Sequence, residues 1–444
     1  MGLACFLVGG SAVGLQAAQK PVAASAVVLN DDGGWSWFED ERAIIVGDRL
    51  FVGSVAMGRF DASRRGDIDA MSLDLKTGVA TRFPLRKNLE VDDHDSPAWL
   101  GLPDGRLLVM YSKHGPENRI YHRISRSRGD ATRWQPEHEF IPSESSRITY
   151  SNLHWLDREG PRGRIYDFFR GLDDSFKPSW ASSDDRGLSW VRGGLLVDVE
   201  SPVKHRPYVK YASNGHDAIH FIFTEGHPRD FDNSIYHAVI RGGYICQSDG
   251  TLIRALRDGP IRPAEATRVF KGDPQNVAWT HDIALDKGGA VRAVYSVRKD
   301  PAGVASGESG KDHRYRWARW DGREWSDHEV AHAGSRLYSG EDDYTGGICV
   351  HPDDPGVVFI SSNVDPVAGT PLTSGHHEIF RGRTRDFGVH WEWEALTPGS
   401  SGDNLRPIVP KWRTGRTALL WLRGSYRAYT DYDLEVMVWV EREK

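Results

Sequence analysis

The sequence points to an all-β chain wound into a seven-bladed β-propeller, and three features lead there. Short runs of β-branched, aromatic and alternating residues recur between turn signals, among them AIIVGDRLFVGSV, PDGRLLVMYSKH, AIHFIFTEG, AVRAVYSVRKD, GVVFISSN and TALLWLRGS. This spacing suits successive antiparallel strands better than βαβ units. No apolar stripe of helical period lasts beyond three turns, so helices should be few and short. A turn motif also repeats: Ser183-Asp184-Asp185-Arg186-Gly187-Leu188-Ser189-Trp190 has the Asp-box form S-x-D-x-G-x-T/S-W, and Thr384 to Trp391 is a degenerate copy. In such a box the Asp accepts bonds from backbone N–H groups of a tight hairpin, the Gly takes a positive φ, and the Trp packs between neighbouring sheets.

In chain order, Leu3 to Ala18 is the one long apolar run, rich in small residues and followed by Gln19, Lys20 and Pro21. It reads as a signal peptide, residues 1–18, so a secreted or periplasmic protein is expected. Hairpins marked by Trp or Gly follow at Leu73–Gly78, Gly242–Gly250 and Trp320–Trp325, and Asp300–Asp312 reads as an excursion between strands. No Pro-, Ser- or Gly-rich linker divides residues 19–444, which are expected to form one propeller domain rather than a pair of β-sandwiches. Roughly 420 residues divided by a blade of about 40 to 60 gives seven or eight blades, of which seven is the expectation here.

Composition narrows the function classes. With 39% hydrophobic residues, 47 Gly and 16 Trp, the chain is neither a disordered tail nor a coiled coil. Its formal charge of −6 comes without a basic stripe, so nucleic acid is not an expected partner. Beyond the leader no stretch is apolar enough to span a bilayer, and Cys246 and Cys349 allow at most one disulfide in the mature chain. A monomer without an organic cofactor is expected.

Two histidines stand out. His94 lies among Asp92, Asp93 and Asp95, and His114 follows twenty residues later, with the turn signal Pro103-Asp104-Gly105-Arg106 between them. A hairpin turning at its middle brings its open ends together, so the two rings can meet at one rim of one blade. A carboxylate beside an imidazole raises its pKa and fixes its tautomer, which suits acid/base work. Arg170 ends an apolar run where a charge needs either a carboxylate, with Asp173 or Asp174 nearest in sequence, or an anionic ligand. Tyr150 and Tyr208 occur in neighbouring runs, and no G-x-S-x-G, Gly-rich phosphate loop or H-E-x-x-H is present. Histidine, tyrosine and arginine without a nucleophile match the needs of uronate β-elimination: a cation neutralises the carboxylate, a base takes the C5 proton, and an acid protonates the departing O4.

Gly34 to Ala43, Asp92 to His94, Tyr111 to Gly115, Ile148 to Ser151, Phe168 to Gly171 and Arg206 to Tyr208 together resemble the BNR-repeat polysaccharide lyases. That group includes ulvan lyases and L-rhamnose-α-1,4-D-glucuronate lyases. The resemblance implies a seven-bladed propeller that holds an anionic, uronate-containing polysaccharide across a canyon. It implies general base and acid work for His94, a partner role for His114, assistance in proton transfer by Tyr150, and carboxylate neutralisation by Arg170. Tyr208 is then a substrate contact, Arg206 and Lys113 are further substrate-binding candidates, and the uronate's stereochemistry decides between His94 and Tyr150 as base. Metal sites away from the chemistry are also implied: His227, His237 and Cys246 are the candidate zinc ligands, and Glu341-Asp342-Asp343-Tyr344 the candidate calcium loop. A sialidase-like hydrolase and a non-catalytic glycan-binding propeller are the competing expectations.

Overall fold

A computed structural model of the chain describes residues 26–199 and 206–441; the expected leader, residues 1–18, lies outside them. Seven antiparallel sheets stand in a ring, and the only helical pieces among the described residues are three-residue 3₁₀ turns. Blade 1 is built from Ala43–Val46, Arg49–Val55, Ile68–Asp74 and Ala80–Arg86; blade 2 from Ala98–Gly101, Leu107–Tyr111, Ile120–Ile124 and His138–Phe140. Blade 3 holds Thr149–Leu156, Arg164–Arg170, Pro178–Ser183 and Val191–Leu195, and blade 4 runs from Val209–Ser213 to Thr267–Phe270. Blade 5 spans Val277–Leu285 to Trp325–Gly334, blade 6 Ile348–Val350 to Glu392–Ala395. Blade 7 combines Asp403–Ile408, Ala418–Ala428 and Asp431–Val440 with Val27–Asn30 from the other end of the described chain, so hydrogen bonds close the ring.

From blade 1 through to blade 7 the first strand of each blade packs against that of the next, which sets these strands around the axis. Each sheet is apolar on both faces, so the core is a set of layers between blades: Phe51, Val55 and Ile68 of blade 1 meet Trp99, Val109 and Tyr111 of blade 2. Blade 4 departs from the four-stranded plan. A hairpin of Tyr244–Cys246 and Leu252–Ala255 extends the sheet, and Thr267–Phe270 pairs with Ile235–His237 beside it.

Both Asp-boxes join the third and fourth strands of their blades. The Asp185 carboxylate accepts from the Leu188 and Ser189 N–H groups at 3.1 and 2.9 Å, and that of Asp386 from His390 N at 2.9 Å. Trp190 packs with His122 and Phe140 of blade 2, and Trp391 with Trp317 of blade 5, so each box bolts one blade to its predecessor. Gly388 has φ +94°, and a Cβ there would stand 2.6 Å from the Trp317 ring. Gly388→Ala therefore combines a left-handed alanine with a clash against a rigid ring, and should cost about 2 to 4 kcal/mol. A urea midpoint unchanged from wild type would contradict this.

The connection over residues 31–42 leaves blade 7 and fills the centre of the ring before entering blade 1. Ser36 N donates to Asp93 O at 3.1 Å, Arg406 of blade 7 donates to Trp35 O, and Lys210 of blade 4 donates to Glu39 O. Trp37 and Phe38 meet Trp279 of blade 5 at 5.3 and 4.7 Å. Residues far apart in sequence thus converge on one aromatic floor.

Candidate functional site

His94 sits on the 3₁₀ turn Asp93–Asp95 that leads into blade 2, and His114 follows that blade's second strand. Leu102–Arg106 closes the hairpin between them, and the rings stack with centroids 4.0 Å apart. Asp92 caps the turn and bridges both imidazoles: Oδ1 lies 2.5 Å from His94 Nδ1, and Oδ2 lies 2.9 Å from His114 Nδ1. With both Nδ1 atoms turned to this carboxylate, both Nε2 atoms face away from it.

The two imidazoles titrate in opposite directions. Burial pulls His94 down, but Asp92 and Asp93, the latter 3.2 Å from Nδ1, more than offset it and leave the pKa raised. His114 is pushed down to about 4 by burial and by the neighbouring His94, with Arg170 adding to the effect. Burial would raise Asp92, yet His94 and the His114 bond hold it well below the usual range. The His94 side chain is 2% exposed and that of His114 21%, so His114 is the ring open to a ligand.

Arg170 ends the second strand of blade 3 and is buried. Its NH2 lies 3.3 Å from His114 Nε2 and its NH1 donates to the Tyr208 hydroxyl at 3.5 Å, while the guanidinium covers the Tyr150 ring at 4.3 Å. Asp173 is held by Arg192 instead, and among the described residues no carboxylate pairs with Arg170. Its Nε also has no acceptor. Tyr150 stands in a β-bulge at φ +61°, with its phenol held well above the ordinary range by burial despite Arg170.

Phe38 stacks on His94 at 5.5 Å and 5°, and Tyr208 and Trp279 extend the floor. Tyr429, at the tip of the last hairpin, stands edge-on to both imidazoles at 5.3 and 5.8 Å. The reading by residue type missed Phe38, Trp279 and Tyr429 as site residues; the dense Trp-Ser-Trp-Phe stretch ahead of the first blade was the available signal for Phe38. Lys113 pairs with Glu117 at 2.6 Å, and Arg206 is exposed with its guanidinium 5.4 Å from the Phe176 ring.

The candidate zinc ligands are not brought together. His227 belongs to the site, 4.9 Å from Trp279 and 5.7 Å from Tyr208. His237 instead lies on the third strand of blade 4, against Trp325 of blade 5, with His220 Nδ1 at 3.1 Å and Ser248 Oγ at 2.7 Å, and Cys246 is on the added hairpin paired with Val239. The three donors do not converge, because a rim loop and a strand interior present them to different surroundings. The calcium loop is likewise committed to protein donors: Arg229 holds Glu341, the N–H groups of Gly307 and Ser309 hold Asp342, and Arg298 holds Asp343 at 2.5 Å. Among the described residues the set spaced for a metal ion is Asp92, His94 and His114, with ligand atoms within 4.8 Å of one another. Asp92 already bonds both of these imidazoles.

Residues 35–333 match the model of a family described as "BNR repeat-containing family member". A solved PL25 ulvan lyase bound to -[GlcA(1-4)Rha3S]- has a similar fold, at TM-score 0.68 and 15% identity, covering 93% of this chain and 95% of that one. The polysaccharide lyase Uly1 aligns at TM-score 0.58 and 12% identity, covering 94% and 98%. No curated protein matches the sequence.

Proposed function

The chain belongs to the BNR repeat-containing family, and from that premise we propose that it is a polysaccharide lyase cleaving rhamnosyl-(1→4)-glucuronate or iduronate linkages. The reaction is a β-elimination that leaves a 4,5-unsaturated uronate end. Arg170 carries this reading: a buried guanidinium with no carboxylate partner among the described residues is costly unless an anion completes it, and the groups around it are an imidazole and two phenols. A uronate carboxylate set on Arg170 brings C5, one bond away, within reach of His114 Nε2. His114 stays neutral down to about pH 4 and so can accept the proton. Electron density released from C5–H passes toward the carboxylate, where Arg170 stabilises it, with His94, whose charged form Asp92 and Asp93 favour, stacked on His114 beside it. Expulsion of O4 then needs a proton, and the Tyr150 phenol, protonated across the whole working range, supplies it. The GlcA–Rha chain on the similar propeller supports the substrate class.

The purified protein, incubated with ulvan and with gum arabic, should generate the ultraviolet absorbance of a conjugated uronate on at least one of them. No new absorbance on either would remove the proposal's support.

The profile of kcat/KM against pH should carry an acid limb near 4, from His114, and a basic limb above 6.5, from His94, the imidazoles and Asp92 titrating as one unit. Asp92 favours the charged form of both rings, so Asp92→Asn lowers both pKa values and moves the basic limb to lower pH. An unmoved basic limb would contradict the assignment.

A further inference from the structure

Residues 34–42, which give Phe38 to the floor of the site, also grip the element that presents Tyr150. Thr149 pairs with Arg170 and Asn152 with Phe168, so Tyr150 and Ser151 together stand opposite the single residue Phe169. Tyr150 at φ +61° is a bulky side chain in left-handed backbone, a state that persists only where the surroundings hold it. Arg42 supplies the hold: NH1 donates to Ser151 O at 2.8 Å and NH2 to Asn152 Oδ1 at 2.8 Å. Asp40 N donates to the same Oδ1 at 2.9 Å, while Asn152 donates through its backbone N to Asp167 Oδ1 and through Nδ2 to Phe168 O, both at 3.1 Å. Arg42 is 1% exposed, and Glu39 lies 3.4 Å behind it. A buried ion pair is weak evidence for a stabilising role, whereas a planar fork clamping two points of a bulge fixes a geometry.

We propose that Arg42 and Asn152 are positioning residues that hold this bulge so that the Tyr150 phenol stands against Arg170, an inference resting on the lyase reading in which Tyr150 protonates the departing oxygen. Arg42→Lys keeps the charge and loses the fork; Asn152→Ala removes the other anchor. Crystal structures of the two variants should show Tyr150 leaving the left-handed region or its ring withdrawing from Arg170. On the uronate polymer, kcat should fall about 10- to 100-fold with KM nearly unchanged, and Arg42→Lys should cost nothing further in a Tyr150→Phe background. Tyr150 unmoved in both variants, or an equal loss from Arg42→Lys with and without the phenol, overturns the inference. If the wild-type protein cleaves no uronate polymer, the lyase reading fails, while the two structures still decide whether Arg42 and Asn152 place Tyr150.

Discussion

Arg170→Ala should lower kcat/KM on a uronate polymer by about 10³-fold or more, since removing a single preorganised donor from a developing anion costs about 10² to 10³ and this guanidinium presents several. The variant should nevertheless melt no lower than wild type. Among the described residues the guanidinium is buried against phenols and a neutral imidazole rather than a carboxylate, so no ion pair among them is lost when it is removed. Arg170→Lys restores charge without the planar fork and should recover only part of the activity. A polymer whose uronates have been reduced to neutral sugars should be cleaved equally poorly by both proteins. Full activity in Arg170→Ala would end the lyase reading. A collapse in melting temperature would mean that Arg170 is structural.

The histidine pair should show an effect of similar size. A general base contributes about 10² to 10⁴-fold and a preorganised stabilising group about 10² to 10³-fold, and His114→Ala and His94→Ala should lose activity within those ranges. The double variant should be little worse than either, because both rings act through the shared Asp92 carboxylate. Losses that multiply would show two independent roles. Kinetics on soluble oligosaccharides, with the fold checked by circular dichroism, separates these outcomes.

The two histidines were legible in sequence because a hairpin imposes the geometry: Pro103 to Arg106 marks the turn, and equal arms bring His94 and His114 to one rim. Arg170 was legible as a charge ending an apolar strand, while its lack of a carboxylate was not, since only packing shows Asp173 turning to Arg192. Tyr150 was identified by resemblance, but its pose depends on a bulge whose register no spacing rule reveals. Phe38 and Trp279 lie some 240 positions apart and meet only because the axial segment crosses the ring. The candidate zinc ligands part on a point of strand geometry: His227 faces the site from a rim loop, while His237 on its strand faces Trp325 of blade 5. The blade count leaned on two Asp-boxes, on hairpins marked by Trp or Gly, and on the length of the chain. Elsewhere Asp74 and Asp321 cap the corresponding turns by accepting from N–H groups two and three residues on, in hairpins that carry Gly78 or Gly322 and Trp325 but not at the spacing of the box.

Cleavage of a rhamnosyl-glucuronate polymer in ¹⁸O-labelled water, followed by mass spectrometry of the oligosaccharides, separates elimination from hydrolysis. Elimination breaks the C4–O4 bond without adding solvent, so the new non-reducing end should be one water lighter than a hydrolytic end, and neither product should carry the label. Products bearing one ¹⁸O and a saturated uronate would show that this propeller is a hydrolase.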